Sequence, residues 1–245
     1  PLVTGVQTCA LPILALASLS EGYRRSLLEE VSRSGTHLML VPLGCPYDAA
    51  VRVLKGRPLE HSIPEKVARE VGADPDVEVA APMLVLAIGR EAERRHEVWV
   101  GIDESVVRLK PWWGAARGSV RMEGADDVVL GAETAEVEVR GPGDRFHSPE
   151  MGRTFRVAGV LGRSGTADDS VVFARLDALQ RLTGNEGRIT AIGVRLKEPA
   201  RMREAVGRLQ ALPGAQVVTL TEMMGTFLNL VGTVRALMLA LVAVA

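Results

Sequence analysis

The chain has 245 residues, of which 47% are hydrophobic and 4% are aromatic, and its formal net charge is −1. Because it has neither a basic excess nor a supply of aromatic side chains for base stacking, nucleic acid is excluded as an expected partner. The length is sufficient for one large domain or two small ones, and two cysteines do not make a disulfide framework.

The first residues of the chain read PLVTGVQTCALPI and lack the basic start and the cleavage site of a secretory signal. Residues 3–13 resemble a translated sequencing adapter, so we expect residues 1–13 to be an artefact; the alternative is a native strand or helix start. The apolar run Leu14–Leu19 follows, and polarity then rises. This run is far shorter than the ~20 residues that span a bilayer, so it predicts the last turns of a longer apolar helix.

Residues 226–245, TFLNLVGTVRALMLALVAVA, contain no polar side chain after Arg235. This run predicts the start of a membrane helix whose span begins near Ala236, with Arg235 just outside the membrane. A core helix of a soluble protein is the alternative. We therefore expect a gene fragment that holds the end of one membrane helix, a large external domain and the start of a second membrane helix.

Between these ends, the first half of the chain predicts short helices followed by a hairpin. Apolar spacing and glycine stops predict one strand, 36–42, and three helices, 21–34, 47–56 and 63–72. Pro64 is expected in the first turn of the third helix. The runs at 76–89 and 96–103 predict two strands joined by the charged turn REAERR, which is the pattern of a β-hairpin.

The second half of the chain alternates strands with amphipathic helices. The sequence predicts strands over 128–131, 154–161, 171–174, 189–196 and 215–220, and helices over 175–184 and 199–212. One face of the last helix carries Met202, Val206, Leu209 and Leu212. The tetrapeptide GPGD at 141–144 predicts a turn. This order indicates an α+β domain with helices packed on a sheet.

Motifs for catalysis, nucleotides and metals are weak or missing from the sequence. There is no GxxxxGK[ST] phosphate-binding loop, so we expect any ATPase on another chain or in another part of the protein. GRSGT at 162–166 only superficially resembles a nucleophile elbow, and a flexible loop is the favoured interpretation. The four histidines lack the spacing of zinc ligands, and the Asp126-Asp127 and Asp168-Asp169 pairs are interpreted as caps at strand starts. We therefore predict no catalytic residues, no metal and no cofactor, and hence no enzyme.

Several short motifs occur in an order that is typical of one family. They are VVLGAETA, GPGDRF, GRTFRVAGVL, DDSVVFARLDALQRLTG and ITAIGVRLKEP, in that order. On these residues the sequence resembles the extracytoplasmic core domain of MacB-like and FtsX-like ABC transporter permeases, a group that includes the lipoprotein-releasing permeases. The resemblance runs from about Ser18 to the end of the chain, and within the core domain it is strongest over 126–220.

The resemblance implies a fold and an arrangement of domains. The fold is an α+β periplasmic core domain of MacB type, a mixed sheet with packed helices in two subdomains, flanked by truncated transmembrane helices. Residues 14–34 would be the end of the first membrane helix and its stalk, 35–220 the extracytoplasmic core, and 221–245 the stalk and the truncated second membrane helix. The implied location is the cell's inner membrane, with several spans and a large periplasmic domain.

The resemblance also implies a function, partners and candidate residues. A permease subunit would couple ATP-driven motion, through stalk helices, to export or release of an amphipathic cargo such as a lipoprotein, lipid, peptide or drug. The implied partners are a nucleotide-binding ATPase subunit, a second permease protomer in a homo- or heterodimer, membrane lipid, and a periplasmic adaptor protein or hydrolase. The alternative is an FtsX-like signalling scaffold that activates an external partner without transport, and a soluble α+β enzyme is a third hypothesis.

Two groups of residues are candidates for contacts. Trp112 and Trp113 follow Lys110-Pro111 and would either face a hydrophobic cargo or partner, or pack locally on a sheet edge. In the predicted stalk, the candidates for coupling are Met223, Met224, Phe227 and Arg235. Soft packing between protomers is the favoured role for the two methionines.

Overall fold

The structure is a computed structural model. It describes Gly22, Arg52 and residues 35–44, 61–90, 95–110 and 113–219. The predicted artefact, the helices over 21–34 and 47–56 and the segment 221–245 therefore lie outside the described residues, apart from these two single positions.

Twelve strands and five α-helices follow one another along the described residues. The strands are β1 Leu38–Pro42, β2 Ile63–Pro64, β3 Val77–Arg90, β4 Arg95–Ile102, β5 Ala115–Gly118, β6 Asp127–Leu130, β7 Arg145–Ser148, β8 Arg153–Leu161, β9 Val171–Arg175, β10 Arg188–Ile189, β11 Ala191–Leu196 and β12 Ala215–Thr219. The helices are α1 Lys66–Gly72, α2 Ser105–Leu109, α3 Ala132–Val137, α4 Leu176–Thr183 and α5 Met202–Leu209. Short 3₁₀ turns occupy Ala167–Ser170 and Pro199–Arg201.

One ten-stranded mixed sheet runs through the described residues, in the order β12-β1-β11-β3-β4-β9-β6-β8-β5, with β7 also paired to β8. Most neighbours are antiparallel, but β4 pairs with β9 and β6 pairs with β8 in parallel. The small β2–β10 ladder lies outside this sheet. Neither parallel pair joins consecutive strands, because helices and other strands intervene along the chain.

The alternation of apolar residues explains how the sheet is covered on both faces. Along β3, Leu84 belongs to a large core cluster with residues of α1, α4 and α5, whereas its neighbour Val85 belongs to a second cluster with residues of α2. Successive side chains of a strand point to opposite faces, so β3 serves both cores. The expected hairpin is present as the antiparallel pair β3–β4, and the apolar face of α5 packs against the larger core.

Some details differ from the sequence-based expectation. Pro64 lies in β2, opposite Arg188, and α1 begins only at Lys66, so placing Pro64 in the first turn of that helix was wrong. The pairing with β10 holds this residue extended before the helix starts. The short elements α2, α3, β5 and β7 were not predicted, because four to six residues are too few to display a period. None of the helices in the described residues is long and apolar enough to cross a membrane.

Candidate functional site: a cleft at the carboxyl ends of β4 and β9

A cleft of about 680 Å³ opens where the parallel strands β4 and β9 end side by side. Ile102 and Arg175 are register partners at this end, and the chain then continues into α2 from β4 and into α4 from β9. The segment between β5 and β6 contributes a further wall. The residues that line the cleft are Glu65, Ile102, Asp103, Glu104, Val107, Arg108, Trp113, Val120, Arg121, Met122, Arg175, Leu176, Asp177 and Gln180.

The apolar part of the lining centres on Trp113. This side chain is only 6% exposed and packs edge-on against Phe173, with ring centroids 4.9 Å apart and an interplanar angle of 80°. Its indole Nε1 is buried and has no hydrogen-bond partner among the described residues. An unsatisfied buried donor costs about 1–3 kcal/mol, so this nitrogen is an unfavourable point in the packing around Trp113.

One face of helix α2 lines the cleft and carries both charged and apolar side chains. Glu104, Val107 and Arg108 are spaced i, i+3 and i+4, which places them on the same side of the helical turn. Val107 is 40% exposed, one of few large apolar side chains on the described surface. The position of α2 is set by Asp103, whose Oδ1 accepts hydrogen bonds from the backbone N–H of Ser105 at 2.9 Å and from its hydroxyl.

The wall between β5 and β6 is held by a close backbone approach. The N–H of Ser119 donates to the carbonyl of Ala158 at 3.0 Å. A Cβ at Gly159 would lie 2.3 Å from the carbonyl oxygen of Ser119, so a side chain there would push this wall away. Arg175 donates to the carbonyl of Glu123 at 3.2 Å and ties the same segment to the end of β9.

The charged groups of the lining fall into two sets. Arg175 and Asp177 form an ion pair at 3.0 Å, and this hydrogen bond from Arg175 holds the pKa of Asp177 below its usual value. Glu65 accepts from the Gln180 amide at 2.7 Å. By contrast, Glu104, Arg108 and Arg121 make no ion pair with any described residue. These three side chains are therefore available to a ligand.

The described residues of the cleft offer charged and apolar contacts to a ligand, and among them no hydroxyl is paired with a histidine. The hydroxyl of Ser105 donates to Asp103, and no histidine is among the described residues that line the cleft. In the GRSGT loop, Ser164 contacts Thr166 and Asp169, whose carboxylate also accepts from the backbone N–H of Gly165. No group of three or more His, Cys, Asp or Glu side chains in the described part of the chain could hold a metal ion.

Of the contact residues predicted from the sequence, only Trp113 lies within the described residues. Trp113 is buried against Phe173, as expected if this side chain packs locally. It also lines the cleft, so its contact with a ligand stays a prediction. Trp112 and the predicted stalk residues Met223, Met224, Phe227 and Arg235 lie outside the described residues. The sequence analysis missed Glu104, Val107 and Arg121, although the spacing of Glu104, Val107 and Arg108 is a signal for one helical face.

Comparison with known proteins identifies the family of this fold. The family model described as MacB-like periplasmic core domain matches residues 12–212. The chain belongs to this family. The expected resemblance to MacB-like permeases is thereby confirmed, as is the α+β fold class.

Two solved structures illustrate the MacB-like fold. The periplasmic region of MacB from Actinobacillus actinomycetemcomitans is 15% identical, with a TM-score of 0.59, covering 83% of this chain and 98% of that one. The extracellular domain of the noncanonic ABC-type transporter YknZ from Gram-positive bacteria is 12% identical, with a TM-score of 0.54, covering 74% of this chain and 99% of that one. No curated protein matches the chain. The MacB-like domain is an extracytoplasmic domain of a membrane-bound, permease-type ABC transporter subunit.

Proposed function

We propose that the chain is the external part of an ABC transporter permease that couples ATP-driven motion to export or release of an amphipathic cargo. The observation that carries the proposal is the family match over residues 12–212, which spans the whole described sheet except its last strand. In this proposal the ATPase is a separate subunit or another part of the protein, because the sequence has no phosphate-binding loop. A second permease protomer completes the working unit.

The course of the chain through the sheet supports the proposed arrangement of domains. β1, the first strand, pairs antiparallel with β12, the last strand, and Leu38 lies opposite Thr219. Since paired Cα atoms in a ladder are about 5 Å apart, the chain enters and leaves the core domain at nearly one point. Two membrane segments attached there, over 14–34 and 221–245, could both turn into the same bilayer and act as one stalk.

The stalk proposal predicts that motion reaches the external domain through residues next to Thr219. A suitable experiment uses the full-length permease, assembled with its ATPase in lipid nanodiscs. Spin labels at the exposed position 204, introduced as Glu204→Cys on α5, report the distance between the external domains of two protomers. We expect this distance to change between the nucleotide-free and the vanadate-trapped state.

A flexible insertion tests the coupling. A short glycine–serine linker placed after Thr219 should abolish the distance change while ATP hydrolysis continues. The matched control places the same linker in the turn between Asn185 and Glu186, far from the chain ends, and should leave the change intact. An unmodified complex whose external domains do not respond to nucleotide would contradict the proposal. Nucleotide-dependent motion without movement of any cargo would favour the signalling scaffold instead.

A further inference from the structure

We propose that Arg195 is a coupling residue, which ties helix α2 to the point where the chain enters the core domain, so that α2 follows the stalk segment preceding β1. This inference rests on the proposed function, because the stalk supplies the movement. The contacts that carry it are those of the residues before β1, of strand β11 and of the last residue of α2.

The residues just before β1 are fixed to strand β11. The backbone N–H of His37 donates to the carbonyl of Val194 at 2.8 Å. The backbone N–H of Leu196 in turn donates to the imidazole Nδ1 of His37 at 3.0 Å. The preceding residue, Thr36, is only 6% exposed. Since both the backbone and the side chain of His37 are bonded to β11, a displacement of the chain at this point is passed to that strand.

Helix α2 is seated on the same part of β11. Leu109, the last residue of α2, is 0% exposed. A Cβ placed at Gly193 would lie 2.8 Å from Leu109 Cδ2 and 3.4 Å from Thr36 Oγ1. Glycine at this position therefore lets Leu109 and Thr36 pack against the same point of the strand. The end of α2 and the start of the core domain are neighbours on one face of β11.

The side chain of Arg195 joins the end of α2 to the sheet. Its Nη1 donates to the backbone carbonyl of Leu109 at 3.1 Å. Its Nε and Nη2 donate to the two carboxylate oxygens of Glu78 on β3, at 3.0 and 3.1 Å. The last carbonyl groups of a helix have no partner within the helix, so a cation that binds one of them holds the helix end in place.

A β-bulge orients Glu78 for this contact. The register of β11 and β3 shifts after Arg195, which lies opposite Val79. The next residue, Leu196, lies opposite Val77, so Glu78 is an extra residue in β3. In a regular strand, Glu78 would point to the face opposite that of its neighbour Val79. The bulge re-aims its carboxylate toward Arg195, and the two parallel bonds fix the orientation of the guanidinium group.

Movement of α2 would change the cleft. Val106 and Leu109 pack into the core beneath the helix, whereas Glu104, Val107 and Arg108 line the cleft. Helix shifts of about 1–2 Å are one of the ways in which proteins transmit a change of state. A helix that follows the entry point of the chain therefore alters one wall of the cleft whenever the stalk moves.

Hydrogen–deuterium exchange of residues 103–110 tests the inference in the full-length permease, assembled with its ATPase in lipid nanodiscs. The exchange rate of this segment should differ at least about threefold between the nucleotide-free and the vanadate-trapped state. Arg195→Gln removes the charged donor to Leu109, so the two states should exchange alike, while the distance reported by Glu204→Cys still changes. Arg195→Lys keeps a charge and a donor and should retain most of the difference.

Arg153→Gln is the matched control. On β8, Arg153 also holds a carboxylate, that of Asp126, through Nε and Nη2, and its loss should leave the response of α2 intact. If Arg195 only capped α2, Arg195→Gln would raise the exchange rate by the same factor in both states and the difference would be kept, which would overturn the inference.

Three other outcomes would also overturn it. They are exchange of α2 that ignores nucleotide in the unmodified complex, an Arg195→Lys variant as fully uncoupled as Arg195→Gln, and loss of the response in Arg153→Gln. If the distance at position 204 still changes with nucleotide in these cases, the proposed function stands and only the role of Arg195 is lost. Absence of that distance change in the unmodified complex would remove both.

Discussion

The two halves of the sheet are packed by different kinds of side chain. The half made of β12, β1, β11 and β3 is aliphatic: residues 35–44, 61–90 and 188–219 contain no Phe, Trp or Tyr. The other half is made of β4, β9, β6, β8, β5 and β7 and contains aromatic residues. Trp99, Trp113, Phe155 and Phe173 are buried in the described core, and Phe146 packs against it. The cleft opens between β4 and β9, in the aromatic half.

The difference shows what each half demands of its backbone. Branched aliphatic side chains pack on a pleated sheet through many small contacts. Loss of one methyl group therefore lowers the free energy of unfolding only modestly. The aromatic half also contains glycines at close backbone contacts: a Cβ at Gly131 would lie 2.1 Å from the carbonyl oxygen of Asp168. The aromatic half should therefore be the less tolerant of substitution.

The largest expected effect is the loss of Phe155 from the aromatic half. This side chain is 1% exposed, and its ring centroid lies 4.7 Å from that of Trp99 and 5.7 Å from that of Phe146. Phe155→Ala should lower the free energy of unfolding by about 3–5 kcal/mol, measured by urea titration of the chain in detergent micelles. Ile192→Val, a buried change in the aliphatic half, should cost only about 0.5–1.5 kcal/mol. Similar costs for the two variants would remove the contrast between the halves.

The second prediction concerns the close approach at Gly131. Its backbone φ of −63° is open to any residue, so the expected cost of Gly131→Ala is steric. Forcing the 3₁₀ turn Ala167–Ser170 away should destabilise the chain by about 3 kcal/mol. Gly207→Ala makes the same change in α5, where no atom lies within 4 Å, and should stabilise it by about 1 kcal/mol. The two thermal melts should therefore shift in opposite directions, and a common direction would contradict the steric argument.

How far the sequence predicts this fold depends on the length of each element. β3 and β4 were predicted because their apolar runs are long and the charged turn between them is clear. Gly131 and the GPGD turn were seen as motifs, and the structure supplies their physical reasons. Gly131 lies at a close backbone contact. In the GPGD turn, Gly143 has a φ of +92° and the Asp144 carboxylate accepts a hydrogen bond from the N–H of Gly141 at 2.7 Å.

The cleft could not be predicted in the same way. Its described lining comes from five separate stretches of chain, around Glu65, Asp103, Trp113, Arg121 and Asp177. They meet because β4 and β9 are parallel neighbours, although roughly seventy residues separate them along the chain. No local period reports such a pairing. Trp113 was noticed for its ring, but its unsatisfied nitrogen is visible only in the structure.

A smaller effect is expected at Val139, where the backbone of the aromatic half is strained. Val139 has a φ of 52° at the end of α3, a conformation that costs a β-branched residue about 1–2 kcal/mol. Its neighbours Glu138 and Arg140 turn inward and pair with each other at 2.9 Å, while Val139 itself is 87% exposed. Val139→Gly should therefore raise the free energy of unfolding by about 1 kcal/mol, measured by the same urea titration. Val137→Gly, at the last residue of the helix, should lower it, and a loss of stability in Val139→Gly would show that the exposed side chain is needed.

The smallest expected effect is a pH dependence in the aliphatic half, at His37. Its Nδ1 accepts a hydrogen bond from the backbone N–H of Leu196 at 3.0 Å, which requires a neutral nitrogen. Partial burial, together with the nearby Arg195, holds the pKa of His37 below its usual 6.5, although Glu78 opposes this. A lowered pKa in the folded state means that the unfolded chain binds the proton more readily, so stability should be constant above about pH 6.5 and fall below it. His37→Gln keeps an acceptor for Leu196 without a titrating group, and its melting temperature should lose this dependence below about pH 6.5. If the two melting curves fell in parallel below that pH, the acid sensitivity would belong to groups other than His37.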